Sequence, residues 1–298
     1  MIAVVALALG AAALIGVSDF FGGIAARRIE LVTMTLVDYA VAMVTILVVL
    51  ALVGGRWSAG AVEWGAVCGV LAAFGLLAFY GVLAVGPMSL LSPLIALIQS
   101  VVPVAAAVIT GQALTPLAWV AIATGILAML LLAPRPEPGR THISARGAIL
   151  AVASGLLLGL ALVALDFAPA NSGVIPSVLD IGSGLVVLMI VWLVLRLLRT
   201  RGVVLAFLRL DADAVGTMSA PRAWIAVVLS GALGAVADAF IVLDLHIGNL
   251  AIVSVLTALY PVLTVILAAT VLKERMTRLQ FVAVALVIVA SLLFSAAG

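Results

Sequence analysis

Six aspartates stand where acids are expensive. Asp19, Asp38, Asp166, Asp180, Asp238 and Asp244 fall inside or at the ends of long apolar runs, while every lysine and arginine lies outside those runs or at their edges. A carboxylate at the centre of a membrane span costs roughly 3 kcal/mol on insertion scales. With no basic partner at the same depth, the relief available is water, a proton or a bound cation. Asp19 shares a helical face with Ala12, Gly16 and Gly23, and Asp238 shares one with Gly231 and Gly234. Small neighbours let a solute approach closely, so Asp19 and Asp238 are expected to line a cavity, with at least one exchanging a proton. Asp38 and Asp180 are further proton-coupling candidates, although both sit near helix starts, where a carboxylate also suits the dipole. Each of these acids has a structural alternative, a hydrogen bond to Ser, Thr or broken-helix backbone. Asp166 and Asp244 lie near span ends and read as interfacial.

A second group lies on a stripe. Ser254, Thr257, Pro261, Thr264 and Ala268 recur at three- and four-residue spacing, which puts them on one face of a helix whose other faces are Val, Leu and Ile. Such a stripe faces other helices or a cavity, and close packing through small residues is the plainer alternative. Pro261 withholds a backbone hydrogen bond and frees a carbonyl at membrane depth, which protein or water must satisfy. Pro93 and Pro103 are the corresponding kink positions in the first half. Gln99 shares a face with Ser92, Ala96 and Pro103, and its amide both donates and accepts, for a polar solute or for a neighbouring helix. Tyr80 and Tyr260 either meet a ligand or pack with their hydroxyls satisfied. The substrate-binding candidates are therefore Asp19, Tyr80, Gln99, Asp238, Thr257 and Tyr260.

The elements that must position these groups are membrane helices. Hydrophobic residues make up 67% of the 298, charged residues 9%, and mean hydropathy is +1.46, values that exclude an ordinary soluble domain. The spacing predicts ten spans at about 3–25, 33–54, 62–84, 88–111, 115–133, 147–166, 174–197, 223–245, 249–271 and 279–296. Trp57, Trp64, Trp192 and Trp224 fall close to span ends as interface anchors. The lone Cys68 argues for neither a disulfide nor a thiolate site, and His142 and His246 lack metal-ligand partners by spacing. No metal or cofactor is expected. No basic stripe with interleaved aromatics suggests nucleic acid. Met1 is followed by Ile-Ala-Val-Val without a basic region, which speaks against a cleaved signal peptide.

The chain divides at Pro134-Arg135-Pro136-Glu137-Pro138-Gly139, giving a first five-helix unit over 1–134, a linker at 135–145 and a second unit over 146–298. Residues 199–221 form the longest loop, in which Val203 to Leu210 suggests an interfacial helix. Sliding 86–133 onto 248–295, an offset of 162, matches Gly86 with Gly248, Ser92 with Ser254, Ala96 with Ala258 and Thr115 with Thr277. Leu36-Val37-Asp38 likewise resembles Val178-Leu179-Asp180. Five spans are an odd number, so the second copy must be inverted relative to the first, the architecture of alternating-access transporters. Of the 14 Lys and Arg, only Arg56 falls outside the loops that follow odd-numbered spans. The positive-inside rule then places those loops in the cytoplasm and both termini outside, in the plasma (inner) membrane.

Together these features resemble the drug/metabolite transporter superfamily, specifically its EamA-type family, over nearly the whole chain. The most specific pieces are the stretches with Pro103 and Pro261, the turns Gly111-Gln112-Ala113-Leu114-Thr115 and Lys273-Glu274-Arg275-Met276-Thr277, and the helix after each. Gly16-Val17-Ser18-Asp19-Phe20-Phe21-Gly22-Gly23 with Arg27-Arg28 resembles a subgroup. The resemblance implies an all-α membrane protein of ten helices in two inverted halves, with a central cavity for a small metabolite; the sequence does not choose between monomer and homodimer. This chain departs from the pattern at Gln112, where an acid is common, and at Asp38 and Asp180, where arginine is frequent.

The expected function is a secondary transporter moving a small polar solute, cationic or zwitterionic or drug-like, by alternating access and with proton coupling as one option. A lipid flippase or scramblase of the same architecture is the nearer alternative. An intramembrane enzyme would need a nucleophile–base pair or metal ligands within spans, and no such motif is evident. No central Arg or Lys is present to meet a phosphate.

Overall fold

The computed structural model describes residues 1–85, 88–132, 145–198, 220–271 and 277–297. Its helices are α1 (Ile2–Ala26), α2 (Leu31–Val53), α3 (Ala59–Val85), α4 (Met88–Ile109), α5 (Pro116–Leu132), α6 (Ala145–Asp166), α7 (Ile175–Leu198), α8 (Ala220–Leu245), α9 (Leu250–Thr257), α10 (Pro261–Val271) and α11 (Arg278–Ala296). Among the described residues nine helical stretches are long and apolar enough to cross a membrane, with Leu250–Val271 counted as one, and the 17-residue α5 is a shorter apolar helix. The elements coincide with the spans read from hydropathy. The chain is a multi-pass membrane protein of about nine to ten apolar helices. The Pro134–Gly139 linker, the turn at 273–276 and the 203–210 segment lie outside the described residues.

One expected span is not a single helix. The run 249–271 splits into α9 and α10, with Ala258 to Tyr260 between them. Pro261 takes the first position of α10, where a missing N–H costs nothing. The carbonyl it leaves free, on Thr257, accepts from the Tyr260 N–H at 3.2 Å. The chain therefore satisfies its own backbone by tightening to three-residue turns. By contrast α4 runs unbroken through Pro93 and Pro103.

The lipid-facing surface is apolar: Leu52, Ile109, Ile190, Phe281 and Leu292 are all exposed. Ser18, Thr35, Ser154, Ser230 and Thr264 are buried instead, as expected where small and polar residues hold helices together in lipid. The two largest helix–helix contacts pair α1 with α8 and α3 with α6. Both pairs are antiparallel, since Gly10 and Ser18 meet Phe240 and Ser230, and Trp64 and Gly75 meet Phe167 and Ser154. Next, α3 packs on α7 and α2 on α8, both parallel, because Gly65 and Gly69 meet Pro176 and Asp180 while α2 offers Asp38 and then Val41 to Gly231. A further antiparallel contact joins α2 to α7, where Tyr39 meets Gly184 and Met43 meets Gly182. The α5–α11 pair packs together as well, and the Gln280 side chain donates to the Leu132 carbonyl at 3.3 Å.

The end that carries the chain termini is tied by hydrogen bonds. Arg56 N–H donates to the Ser172 carbonyl at 3.1 Å, and Thr115 Oγ1 donates to the Ala297 carbonyl at 3.3 Å. Gln112 clips three elements: its Nε2 donates to Asp166 Oδ2 at 3.1 Å and its Oε1 accepts from Leu250 N–H at 3.1 Å. An acid at position 112 would have no N–H for Asp166. The departure noted in the sequence therefore has a local cause.

Candidate functional site

Six helices, α1, α2, α3, α6, α7 and α8, surround a cavity of about 190 Å³. Asp19, Asp38, Asp180 and Asp238 all line it, and among the described residues no lysine or arginine does. Among the described residues, no three acidic, histidine or cysteine side chains converge closely enough to hold a metal ion.

The acids form two layers. Asp19 on α1 and Asp38 on α2 interact electrostatically with each other near the end remote from the termini. Asp180 on α7 and Asp238 on α8 adjoin each other near the terminal end. The register supplies the spacing: Asp38 lies against Gly231, seven residues before Asp238 on α8, and Met43 meets Gly182, which sets Asp180 about seven residues further along α2 than Asp38, so the layers stand roughly 10 Å apart.

The first layer is backed by hydroxyls. Ser18 Oγ donates to the Ser230 carbonyl at 2.9 Å, and the Tyr80 hydroxyl lies 3.0 Å from Ser230 Oγ. Behind the second layer stand Cys68 on α3 and Ser177 on α7. Between the layers is Tyr39, a lining residue whose phenol is in electrostatic reach of Asp38, Asp180 and Asp238.

Backbone contact fixes both layers. Gly231 of α8 presses on the carbonyl of Asp38, and Gly69 of α3 presses on the carbonyl of Asp180, each so closely that a Cβ would collide with that oxygen. Only glycine permits such an approach. Gly69 and Gly231 are separated by 231 − 69 = 162 positions, the offset that aligns the halves further along the chain. Asp38 Oδ1, Asp180 Oδ1 and Asp238 Oδ2 are fully enclosed and have no hydrogen-bond partner among the described residues. An enclosed oxygen left so costs about 1–3 kcal/mol, more for a charged group.

Of the residues singled out in the sequence, the structure gathers Asp19, Asp38, Asp180, Asp238 and Tyr80 on this cavity. Gln99, Thr257 and Tyr260 lie on spans that do not line it. Gln99 is half-buried, with its carbonyl towards Gly159 of α6. Thr257 donates within its own helix, to the Val253 carbonyl at 2.8 Å, and the Tyr260 ring meets Phe79 edge-on. The stripe packs on α1, where Thr264 Oγ1 donates to the Gly16 carbonyl at 3.1 Å. Tyr39, Ser18 and Ser230 are the site residues that the sequence reading passed over. Tyr39 directly follows an intramembrane acid, which was the one available signal. Outside the spans, burial pulls the pKa of His246 below its ordinary value.

The EamA-like transporter family model matches residues 145–296. A solved structure described only as "Crystal structure of protein" shares 16% identity over 96% of both chains with a TM-score of 0.61, which establishes the common fold. No curated protein matches the chain.

Proposed function

From the premise that the chain belongs to the EamA-like transporter family, we propose that it is a secondary transporter that carries a small polar, positively charged solute across the plasma membrane by alternating access. The observation that carries this is the cavity with four aspartates from both halves and no basic lining residue. Such a site needs a counter-charge, and a proton, a cation or a cationic solute supplies it. A proton that enters as the solute leaves couples the two flows. The acids and Tyr80 bind; no group is asked to do covalent chemistry.

Alternating access rests here on two inverted five-helix halves, 1–134 and 146–298. Support comes from contacts that keep their form when the halves are exchanged. In both directions a glycine of one half's third helix sits on the second-helix aspartate carbonyl of the other half. In both directions, too, a first-helix serine donates to a third-helix carbonyl, Ser18 to Ser230 and Ser154 to Gly75. The arginine distribution favours cytoplasmic basic loops and external termini.

The test is counterflow in proteoliposomes with a panel of amines and amino acids, repeated for Asp19→Asn and Asp238→Asn across external pH. Solute exchange that loses its pH dependence in either variant is the expected result. Unchanged pH dependence in both removes proton coupling. Lipid scrambling without solute exchange replaces the transporter with a flippase.

A further inference from the structure

We infer that the cavity is built for a linear dication, an aliphatic diamine with one ammonium at each carboxylate layer, and not for a zwitterion. The inference rests on the transporter reading for its biology, but its chemistry comes from the spacing and polarity of the lining.

An ammonium carries three N–H donors and no acceptor, so it needs a cluster of acceptor oxygens. The cavity has two such clusters at two depths. Asp19 and Asp38 form one, Asp180 and Asp238 the other; all four line the cavity, and Asp38, Asp180 and Asp238 each keep one oxygen with no hydrogen bond among the described residues, so none of these carboxylates is fully neutralised by its surroundings. Asp38 and Asp180 are only 5% and 6% exposed, so bulk water does not meet the need.

A zwitterion would satisfy one layer and place its carboxylate against the other. No lining residue is a lysine or arginine that could receive it. Between the layers the wall is apolar, with Ala42, Ala72, Leu76 and Ile181, which suits methylene groups. The roughly 10 Å axial separation is the nitrogen-to-nitrogen length of an extended diamine of about seven carbons. At about 190 Å³ the cavity is smaller than the sites that hold drug-sized ligands. Tyr39, in reach of both layers, faces the middle of such a chain.

The test uses the purified full-length protein in detergent and reads binding by calorimetry. The probes are α,ω-diaminoalkanes of increasing length, the n-alkylamine of each length, and a neutral amino acid. The expected result is an affinity maximum near seven carbons, with the diamine about tenfold or more tighter than its monoamine partner, a gap of about 1.4 kcal/mol. Asp38→Asn and Asp180→Asn, each checked for a monodisperse elution profile, should each weaken the diamine about tenfold and the monoamine about threefold or less. Either variant suffices if the other does not fold, because the two report on different layers. Equal affinity for monoamine and diamine, affinity rising steadily with chain length, or tighter binding of the amino acid overturns the inference. Counterflow with the same compounds separates it from the reading beneath. Diamines that bind without exchanging sink the transporter and leave the dication site standing. Amino acids that exchange while diamines bind no better than monoamines do the reverse.

Discussion

The two carboxylate layers are made of the same parts and supported differently. In both, a second-helix aspartate has its carbonyl pinned by a glycine from the other half: Asp38 by Gly231, Asp180 by Gly69. Behind Asp19 and Asp38 stand three hydroxyls, Ser18, Ser230 and Tyr80, held in one hydrogen-bonded group. Behind Asp180 and Asp238 stand a cysteine and a serine, Cys68 beside Asp180 and Ser177 beside Asp238, and among the described residues no tyrosine hydroxyl joins them. The second layer is roofed by the tied terminal end, with its Gln112 clip. What the two layers share is backbone geometry; what separates them is the side-chain chemistry laid on it.

The sharpest way to break that comparison is at the pins. Gly69→Ala and Gly231→Ala each place a Cβ on a carbonyl that cannot retreat without moving α7 or α2. Overpacking of this kind costs about 1–3 kcal/mol and outweighs the roughly 1 kcal/mol that alanine gains over glycine in a helix. Both should lower the melting temperature in detergent by similar amounts. A drop in one alone would show that the two crossings are not equivalent.

Gln112→Glu tests the roof. It removes the donor to Asp166 and sets like charges against each other, a change of about 1 kcal/mol at a half-exposed site. Melting temperature should fall, and Asp166→Asn added to it should restore most of the loss. No recovery would mean that Gln112 contributes through Leu250 alone.

The smallest effect separates the backing groups. Tyr80→Phe removes one buried hydrogen bond, worth about 0.5–1.5 kcal/mol, beside the first layer. Cys68→Ala removes a buried thiol beside the second. Amine binding should weaken modestly in Tyr80→Phe and less in Cys68→Ala, measured by the same calorimetry. Equal effects would erase the distinction between the layers.

The helices and four of the acids were legible because each carries its own signal. Twenty apolar residues announce a span, and an acid without a basic partner in such a run announces a cost that something must offset. The convergence of those acids was not legible. It depends on Gly69 and Gly231 meeting carbonyls from the opposite half, and a glycine in a membrane helix reads the same wherever it faces. Tyr39 escaped notice because an aromatic beside an acid is ordinary until α7 is brought against it. Thr257 and Tyr260 were drawn in by Pro261, on the argument that a freed carbonyl needs a cavity. Of the two ways to satisfy it, protein or water, the structure uses protein: the Tyr260 N–H meets that carbonyl at 3.2 Å.

Where glycine lies on a carbonyl, two helices touch main chain to main chain, with only Ser183 Oγ beside Gly69 and Val41 Cβ beside Gly231. Such a contact has few side-chain atoms to lift past one another. Two bodies that rock about it keep the same atoms in touch while everything further out swings. The alternating access proposed above would pivot at Gly69 and Gly231, the tightest glycine contacts among the described residues, and each carries an acid of the cavity on its rim.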